Sequence, residues 1–456
     1  MSLLEQLRSG LAGLRQRLSH DDRPAPGSAP SEGAIVHEIL DPGFLKARLE
    51  RVRRDGAGLI SDEQYARMFS DLEEGEASPV SGADPSEGSQ AYLPRSPGVS
   101  VLQSTLNDCI VSRADELLKE LPFGHRSYAE FGLEDGDDMF RQFGPCDIHW
   151  VESVLSKGLT VLEGDAKFVD DRAPQVQFAD DARFVVVGDW GTGLPGARAV
   201  GDQMAQHVRT GRKEGQEVHV LHLGDVYYSG WKEEYESRFM PYWPVRSADE
   251  RVPSWALNGN HDMYSGGHGY FGYLLRDPRF AGQMGSSYFC LQNSHWQLLG
   301  LDTAFVNADL AGNQAAWVAE KLRESDRKTM LLTHHQPFSA YNPKLKPPFL
   351  KRLQPAFAVR PLDAWLWGHE HRCYVYDDYY APYLKFGSCI GHGGVPVLLD
   401  ATTPPKVRWR AEGYEAHGSD KWQRFGFAVL DFHGAEIEIR YYDQTGGKPV
   451  FETTTS

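Results

Sequence analysis

The sequence predicts an α/β fold preceded by a mostly helical N-terminal extension. Two features predict the fold: short, strongly apolar runs recur after Arg183, each closing on Gly, Asp, Asn or His, and stretches with helical spacing fit between them. A third predicts the extension, because residues 1–181 carry helical apolar patterns broken by soft, polar stretches. At 456 residues the chain has room for an enzyme core and further units, since domains run to roughly 100–200 residues.

Leu4, Leu7, Leu11, Leu14 and Leu18 recur at alternating steps of three and four, which puts them on one helix face with Arg8, Arg15 and Arg17 off the stripe. Gly10 and Gly13 each weaken such a helix by roughly 1 kcal/mol, so it needs a partner. Self-association, docking on another domain or, given the basic polar face, contact with a membrane surface would supply one. Residues 22–33 and 73–98 are rich in Pro, Ser, Ala, Gly and acidic residues and read as linkers. Between them, Asp41-Pro42 and the Ser61/Gln64 pair resemble starts of two short helices. Residues 1–98 are therefore expected to form a helical, linker-rich extension. Residues 99–181 are expected to form a helical region whose role stays open, with Leu102, Leu106, Ile110, Leu117 and Leu121 at helix-compatible spacings and no visible chemistry.

From Arg183 on, 184–187, 218–223, 255–257, 298–301, 330–333 and 364–367 read as buried strands, because continuous apolar runs suit strands covered on both faces. Residues 196–208 and 313–323 fit as helical connections. The runs 425–432 and 437–442, around His433-Gly434, read as a hairpin that completes a sheet.

Composition excludes several classes of function. A net charge of −16 argues against a nucleic-acid backbone as main partner, so an anionic substrate must be held by something local, such as metal ions. Cys109, Cys146, Cys290, Cys373 and Cys389 are odd in number and contain no Cys-x-x-Cys pair, which indicates neither a disulfide framework nor a zinc ribbon. The N-terminus lacks the pattern of a secretory signal, and no apolar run reaches the ~18 residues of a membrane span. A cytoplasmic protein is the expectation.

Five apolar runs end in clusters of metal-ligating residue types: Gly188-Asp189-Trp190-Gly191, Gly224-Asp225-Val226-Tyr227-Tyr228, Gly259-Asn260-His261-Asp262, His334-His335-Gln336-Pro337 and Gly368-His369-Glu370-His371. Singly, an Asp after a strand is usually a helix cap and a lone His a satisfied polar residue. Together, at the carboxyl ends of strands, the five converge on one rim. The joint pattern resembles the calcineurin-like metallophosphoesterases, and within them the purple acid phosphatases, over residues 183–394.

The resemblance implies a β-sandwich flanked by helices (α/β/β/α), with a catalytic domain over 182–447. It implies a first metal site of Asp189, Tyr228 and His371, a second of Asn260, His335 and His369, and Asp225 bridging the two. Carboxylate, amide, phenolate and imidazole donors suit iron paired with iron, zinc or manganese. His335 is preferred to its neighbour because it lies two residues before Pro337, as the family's ligand does; His334 is then free to face substrate. Gly191 stands where non-purple relatives carry a histidine ligand, and Tyr228 supplies the replacement. His261 resembles the family's substrate-facing histidine, with Asp262 fixing its tautomer. Tyr264, His268, Tyr341 and His392 are further candidates for the pocket wall, whereas His219 and His222 read as structural.

The activity implied is hydrolysis of a small phosphate ester by a hydroxide held between two metals, with a phosphomonoesterase expected first. A phosphodiesterase acting on nucleotides or phospholipid headgroups is the alternative. A non-catalytic binding or scaffold protein is a third reading, against which the full ligand set speaks.

Overall fold

The computed structural model describes residues 165–456 apart from 171–172, 247–250, 341–344, 379–380, 400–402 and 418–419. The leucine stripe, both linkers and the helical patterns expected before residue 165 lie outside the described residues, as does Tyr341.

Two sheets dominate. The eight-stranded sheet runs in the order β1 (Gln175–Gln177), β5 (Phe289–Gln292), β6 (Trp296–Gly300), β7 (Lys328–Thr333), β8 (Leu362–Trp367), β10 (Leu384–Ile390), β9 (Cys373–Tyr376) and β11 (Val407–Arg410). The six-stranded sheet runs β16 (Phe451–Thr455), β15 (Glu436–Asp443), β14 (Gly426–His433), β2 (Ala182–Val187), β3 (Glu217–His222) and β4 (Ser254–Ala256). A separate ribbon pairs β12 (Tyr414–His417) with β13 (Asp420–Gln423).

The two sheets face each other across a core in which Phe184, Val186, Leu221, Leu223 and Leu430 meet Leu298, Met330, Leu332, Ala364 and Leu366. Side chains alternate across a strand, so Val185 and Val187 point the other way, against Val200, Met204 and Val208 of helix α1 (Pro195–Lys213). On the far side of the other sheet, Leu299, Leu331 and Trp365 pack under Val318 and Leu322 of helix α3 (Gln314–Glu324), with the short helix α2 (Asn260–Tyr264) lying between them in sequence. Both faces of each sheet are thus covered, which is why the strands read as unbroken apolar runs. Each buried Val, Leu or Phe contributes roughly 1.5–3 kcal/mol to holding the layers together. The layering is the expected α/β/β/α.

The strands expected from the sequence are present within a few residues of their expected bounds, and the C-terminal hairpin joins the six-stranded sheet with Ala428 opposite Val186 and Leu430 opposite Phe184. Two strands fall outside 182–447. β16 pairs with β15, and β1, within a stretch expected to be helical, pairs in parallel with β5. Ahead of β1 the chain is tied down: Ala166 N–H donates to the Gly266 carbonyl (2.8 Å), Tyr288 Oη donates to the Asp170 carbonyl (2.7 Å), and Asp170 Oδ1 accepts from Asn313 N (2.8 Å).

What positions the site is strand direction. β2, β3 and β4 are parallel in one sheet, β6, β7 and β8 in the other, and the clusters after β2, β3, β4, β7 and β8 emerge at one end of the sandwich.

Candidate metal centre

Asp189 and Asp225 follow β2 and β3, and both are fully buried. Tyr227 Oη stands 3.0 Å from Asp189 Oδ1, 3.1 Å from Asp225 Oδ2 and 3.1 Å from His371 Nε2. One hydroxyl proton therefore faces two carboxylate oxygens and an imidazole nitrogen. A second cluster adjoins the first, where His334 Nε2 lies 3.0 Å from Asn260 Oδ1, 3.1 Å from His369 Nδ1 and 3.4 Å from Asp225 Oδ2. His334 Nδ1 is 3.0 Å from the Leu223 carbonyl, which can only accept, so that nitrogen carries the proton and Nε2 is the one turned inward. Asn260 is oriented from behind by the Tyr264 hydroxyl, which accepts from Asn260 Nδ2 at 2.7 Å.

The backbone is bent to make these approaches. Asp189, Asp225, His369 and His371 all have positive φ, at 55°, 76°, 68° and 50°. Left-handed backbone costs a non-glycine residue on the order of 1–3 kcal/mol, and it persists where the surroundings enforce it. They do: Asp189 Oδ2 accepts from His369 N at 2.7 Å, and Asp225 Oδ1 from His261 N at 2.9 Å. Gly259 is needed for a different reason, since a Cβ there would lie 2.0 Å from Asp225 Oδ1.

Several sequence expectations change. The tyrosine hydroxyl within the cluster belongs to Tyr227, not Tyr228. Tyr228 is committed elsewhere: its N–H donates to Glu234 Oε1, its carbonyl accepts from His261 Nδ1 (2.7 Å), and its ring lies under the Arg238 guanidinium, 5.2 Å away. Of the adjacent histidines, His334 stands against Asn260 and Asp225, its position at the end of β7 pointing it between the sheets, and the rings of both His334 and His335 pack against His369, with centroids 5.0 and 4.6 Å away. His335 still lies within reach of His334 and His369. Asp262 does not touch the ring of His261; it accepts from Asp225 N (2.9 Å), Gly259 N (2.7 Å), Val226 N (3.2 Å) and Tyr235 Oη. The tautomer of His261 is set instead by the Tyr228 carbonyl, which leaves Nε2 4.0 Å from Asp225 Oδ2.

Of the wall candidates, His268 lines an outer groove with Trp231 and Tyr273, and His392 is buried beside Gly426. His219 bonds Glu217 and Trp255, and His222 sits among Phe239 and Trp243, both as structural groups. The sequence did not anticipate that Tyr227 Oη would lie beside Asp189 and Asp225 or that Tyr264 would hold Asn260 from behind.

The electrostatics fit cations. Burial, with Asp225 adding to it and His334 offsetting in part, pushes Asp189 well above the ordinary carboxylate range. Burial acts the same way on Asp225, but the facing His334 and His261 overcome it and hold that carboxyl well below its usual value. His334 loses charge stability through burial, yet Asp225 and Asp189 pull it up to about 9. Burial drives His335, His369 and His371 down, so these imidazoles are neutral and present lone pairs. Acceptor atoms about 3–3.4 Å apart, short of protons to share, are the arrangement of donors around a metal ion at about 2.1 Å. The groups that can hold one are Asp189, Asp225 and His334, and His334, His335 and His369.

Residues 182–373 match the family described as calcineurin-like phosphoesterase. The chain carries a calcineurin-like phosphoesterase domain over these residues. It is 26% identical over 309 residues to tartrate-resistant acid phosphatase type 5 of Oryctolagus cuniculus, covering 59% of this chain and 90% of the relative. The Homo sapiens protein of the same name is also 26% identical over 309 residues, with the same coverage. Among solved structures, the one titled "GAP50 the anchor in the inner membrane complex of Plasmodium" aligns with a TM-score of 0.45 at 13% identity, covering 60% of this chain and 89% of that one. The matched domain and the acid phosphatase relatives mark the chain as a metal-dependent phosphoesterase with a purple-acid-phosphatase-like motif set.

Proposed function

We propose that this phosphoesterase is a phosphomonoesterase that works with two metal ions bridged by Asp225. The observation that carries the reading is the position of Asp225 Oδ2, 3.1 Å from Tyr227 Oη in one cluster and 3.4 Å from His334 Nε2 in the other. Asp189, Tyr227 and His371 would hold one ion, and Asn260, His334 or His335, and His369 the other, with iron paired with iron, zinc or manganese suiting these donors. When bound, two such ions supply Lewis acidity toward the phosphoryl oxygens and a nucleophile at neutral pH.

The chain's own residues do the rest. His261 keeps its Nδ1 proton on the Tyr228 carbonyl, so Nε2 is the atom that can hold a proton toward the ester oxygen of the departing alcohol. Buried as it is, with its pKa lowered by that burial against the pull of Asp225, His261 becomes a ready donor only when it is brought a proton or an anionic substrate. Asp262 keeps the Asp225 turn in register.

Metal analysis of the purified chain, together with rates on an aryl phosphate monoester and the matching diester, tests the reading. Two ions per chain and a strong preference for the monoester are expected. A preference for the diester would make the protein a phosphodiesterase, and a single ion would remove the two-metal mechanism.

A further inference from the structure

Three histidines at the rim are held by Nδ1. For His334 and His261 the partner is a backbone carbonyl, of Leu223 and Tyr228, and a carbonyl accepts only. The Nδ1 proton of each is therefore fixed in place. His335 differs: its Nδ1 lies 3.0 Å from Thr303 Oγ1, and a hydroxyl both donates and accepts.

Thr303 Oγ1 also accepts the His335 backbone N–H at 3.2 Å. This leaves the hydroxyl one lone pair and one proton to offer the ring. If Nδ1–H donates to the lone pair, Nε2 is bare. If the hydroxyl donates to Nδ1, the ring proton sits on Nε2. That atom is fully buried and has no hydrogen-bond partner among the described residues, so a proton there would be a stranded donor, while a lone pair there would face the neighbouring His334 and His369. A cation at Nε2 selects the first arrangement.

The backbone on either side of this contact is held as well. The preceding carboxylate, Asp302, accepts from Ala304 N (2.9 Å), Phe305 N (2.7 Å) and Ser287 Oγ (2.6 Å), and the Gln314 amide clamps the Asp302 backbone by accepting from its N–H (2.8 Å) and donating to its carbonyl (3.0 Å). The His335 carbonyl is pinned in turn by Thr333 Oγ1 at 2.8 Å.

We propose that Thr303 is a positioning residue that turns the bare Nε2 of His335 toward a metal ion. The inference rests on the two-metal reading. Thr303 touches no reacting atom; it acts through the tautomer and the angle of the His335 ring, as partners behind metal-bound histidines do.

The test is a titration of the full-length, metal-stripped chain with Mn²⁺, following free ion by electron paramagnetic resonance. Wild type is expected to take up two ions. Thr303→Val should weaken one of them by about 10–100-fold and leave the other unchanged. Thr303→Ser, which keeps the hydroxyl, should restore it. In a His335→Ala background, Thr303→Val should have no further effect. Metal-free melting curves report whether Thr303→Val folds, and Thr303→Ala serves in its place if it does not. Unchanged binding by the hydroxyl-free variants, failure of Thr303→Ser to restore it, or equal weakening when His335 is already gone would each overturn the proposal. Wild type that takes up one ion overturns the two-metal reading instead; Thr303 then stands if Thr303→Val and His335→Ala weaken that ion alike, and falls if they do not.

Discussion

The carboxylate of Asp262 accepts the backbone N–H of Asp225 at 2.9 Å, and so fixes the main chain of the residue whose side chain lies against both Tyr227 and His334. This carboxylate accepts from donors on every side: Asp225, Val226 and Gly259 through N–H, and Tyr235 through its hydroxyl. Asp262→Asn must turn an amide N–H toward some of these donors. It is expected to cost about 1–3 kcal/mol of stability in the metal-free protein and to lower metal uptake. Melting curves and metal analysis check this; normal stability with only a shifted pH–rate profile would mean that Asp262 serves His261 instead.

Gly259→Ala is a sharper perturbation of the same carboxylate. The added methyl would sit 2.0 Å from Asp225 Oδ1, among fully buried atoms with nowhere to retreat. Turnover should fall by about 100-fold or more, the loss that follows from misplacing a reacting group by about 1 Å. Steady-state rates on an aryl phosphate, with circular dichroism to confirm folding, measure it; activity within threefold of wild type would show that Asp225 is free to move.

The two adjacent tyrosines are expected to separate cleanly. With both sites loaded with ferric iron, a tyrosinate bound to iron gives a visible charge-transfer band. Tyr227→Phe should abolish the band, and Tyr228→Phe should retain it, since Tyr228 lies under Arg238. Bleaching by Tyr228→Phe alone would reverse the assignment.

Acid should destabilise the fold through histidines remote from the centre. His207 packs against Tyr442 with ring centroids 4.3 Å apart and the planes tilted by 52°, and burial, with Arg183 and Arg440 adding to it, lowers its pKa to about 4. The unfolded chain, with an ordinary value of about 6.5, binds a proton that the folded chain refuses between these limits. Stability is therefore fully present above about pH 6.5 and is lost as pH falls toward 4. Urea midpoints measured across this range should drop less steeply for His207→Phe, by up to one proton per chain; an identical slope would show that His207 is solvated or already charged when folded.

Much of this was legible in the sequence because the strands are covered on both faces. Runs such as 184–187 and 330–333 had to be apolar throughout, and the polar clusters that follow them stood out sharply. β1 and β16 were hidden because Gln-Val-Gln and Phe-Glu-Thr-Thr-Thr are half-exposed edge strands with little apolar signal. Tyr228 and His335 were chosen by their spacing from Asp225 and Pro337, and spacing does not say where the backbone turns each side chain. Adjacent residues differ only in which way the backbone turns, and here the turn is fixed by Glu234, Asp262 and Thr303, which lie 6 to 37 residues from the groups they hold.

The pairing of β1 with β5 bears on where this chain can be cut. β5 is Phe-Cys-Leu-Gln, buried throughout, and one of its two edges is closed by residues 174–178. A fragment begun at residue 182 would lose that cover together with the Asp170 anchors, and would present a row of unpaired N–H and carbonyl groups beside apolar side chains. Such an edge recruits strands from other chains. A preparation that starts at the family boundary would thus be prone to aggregate with every ligand residue in place, whereas one that keeps the chain from residue 165 onward retains its own protection against self-pairing.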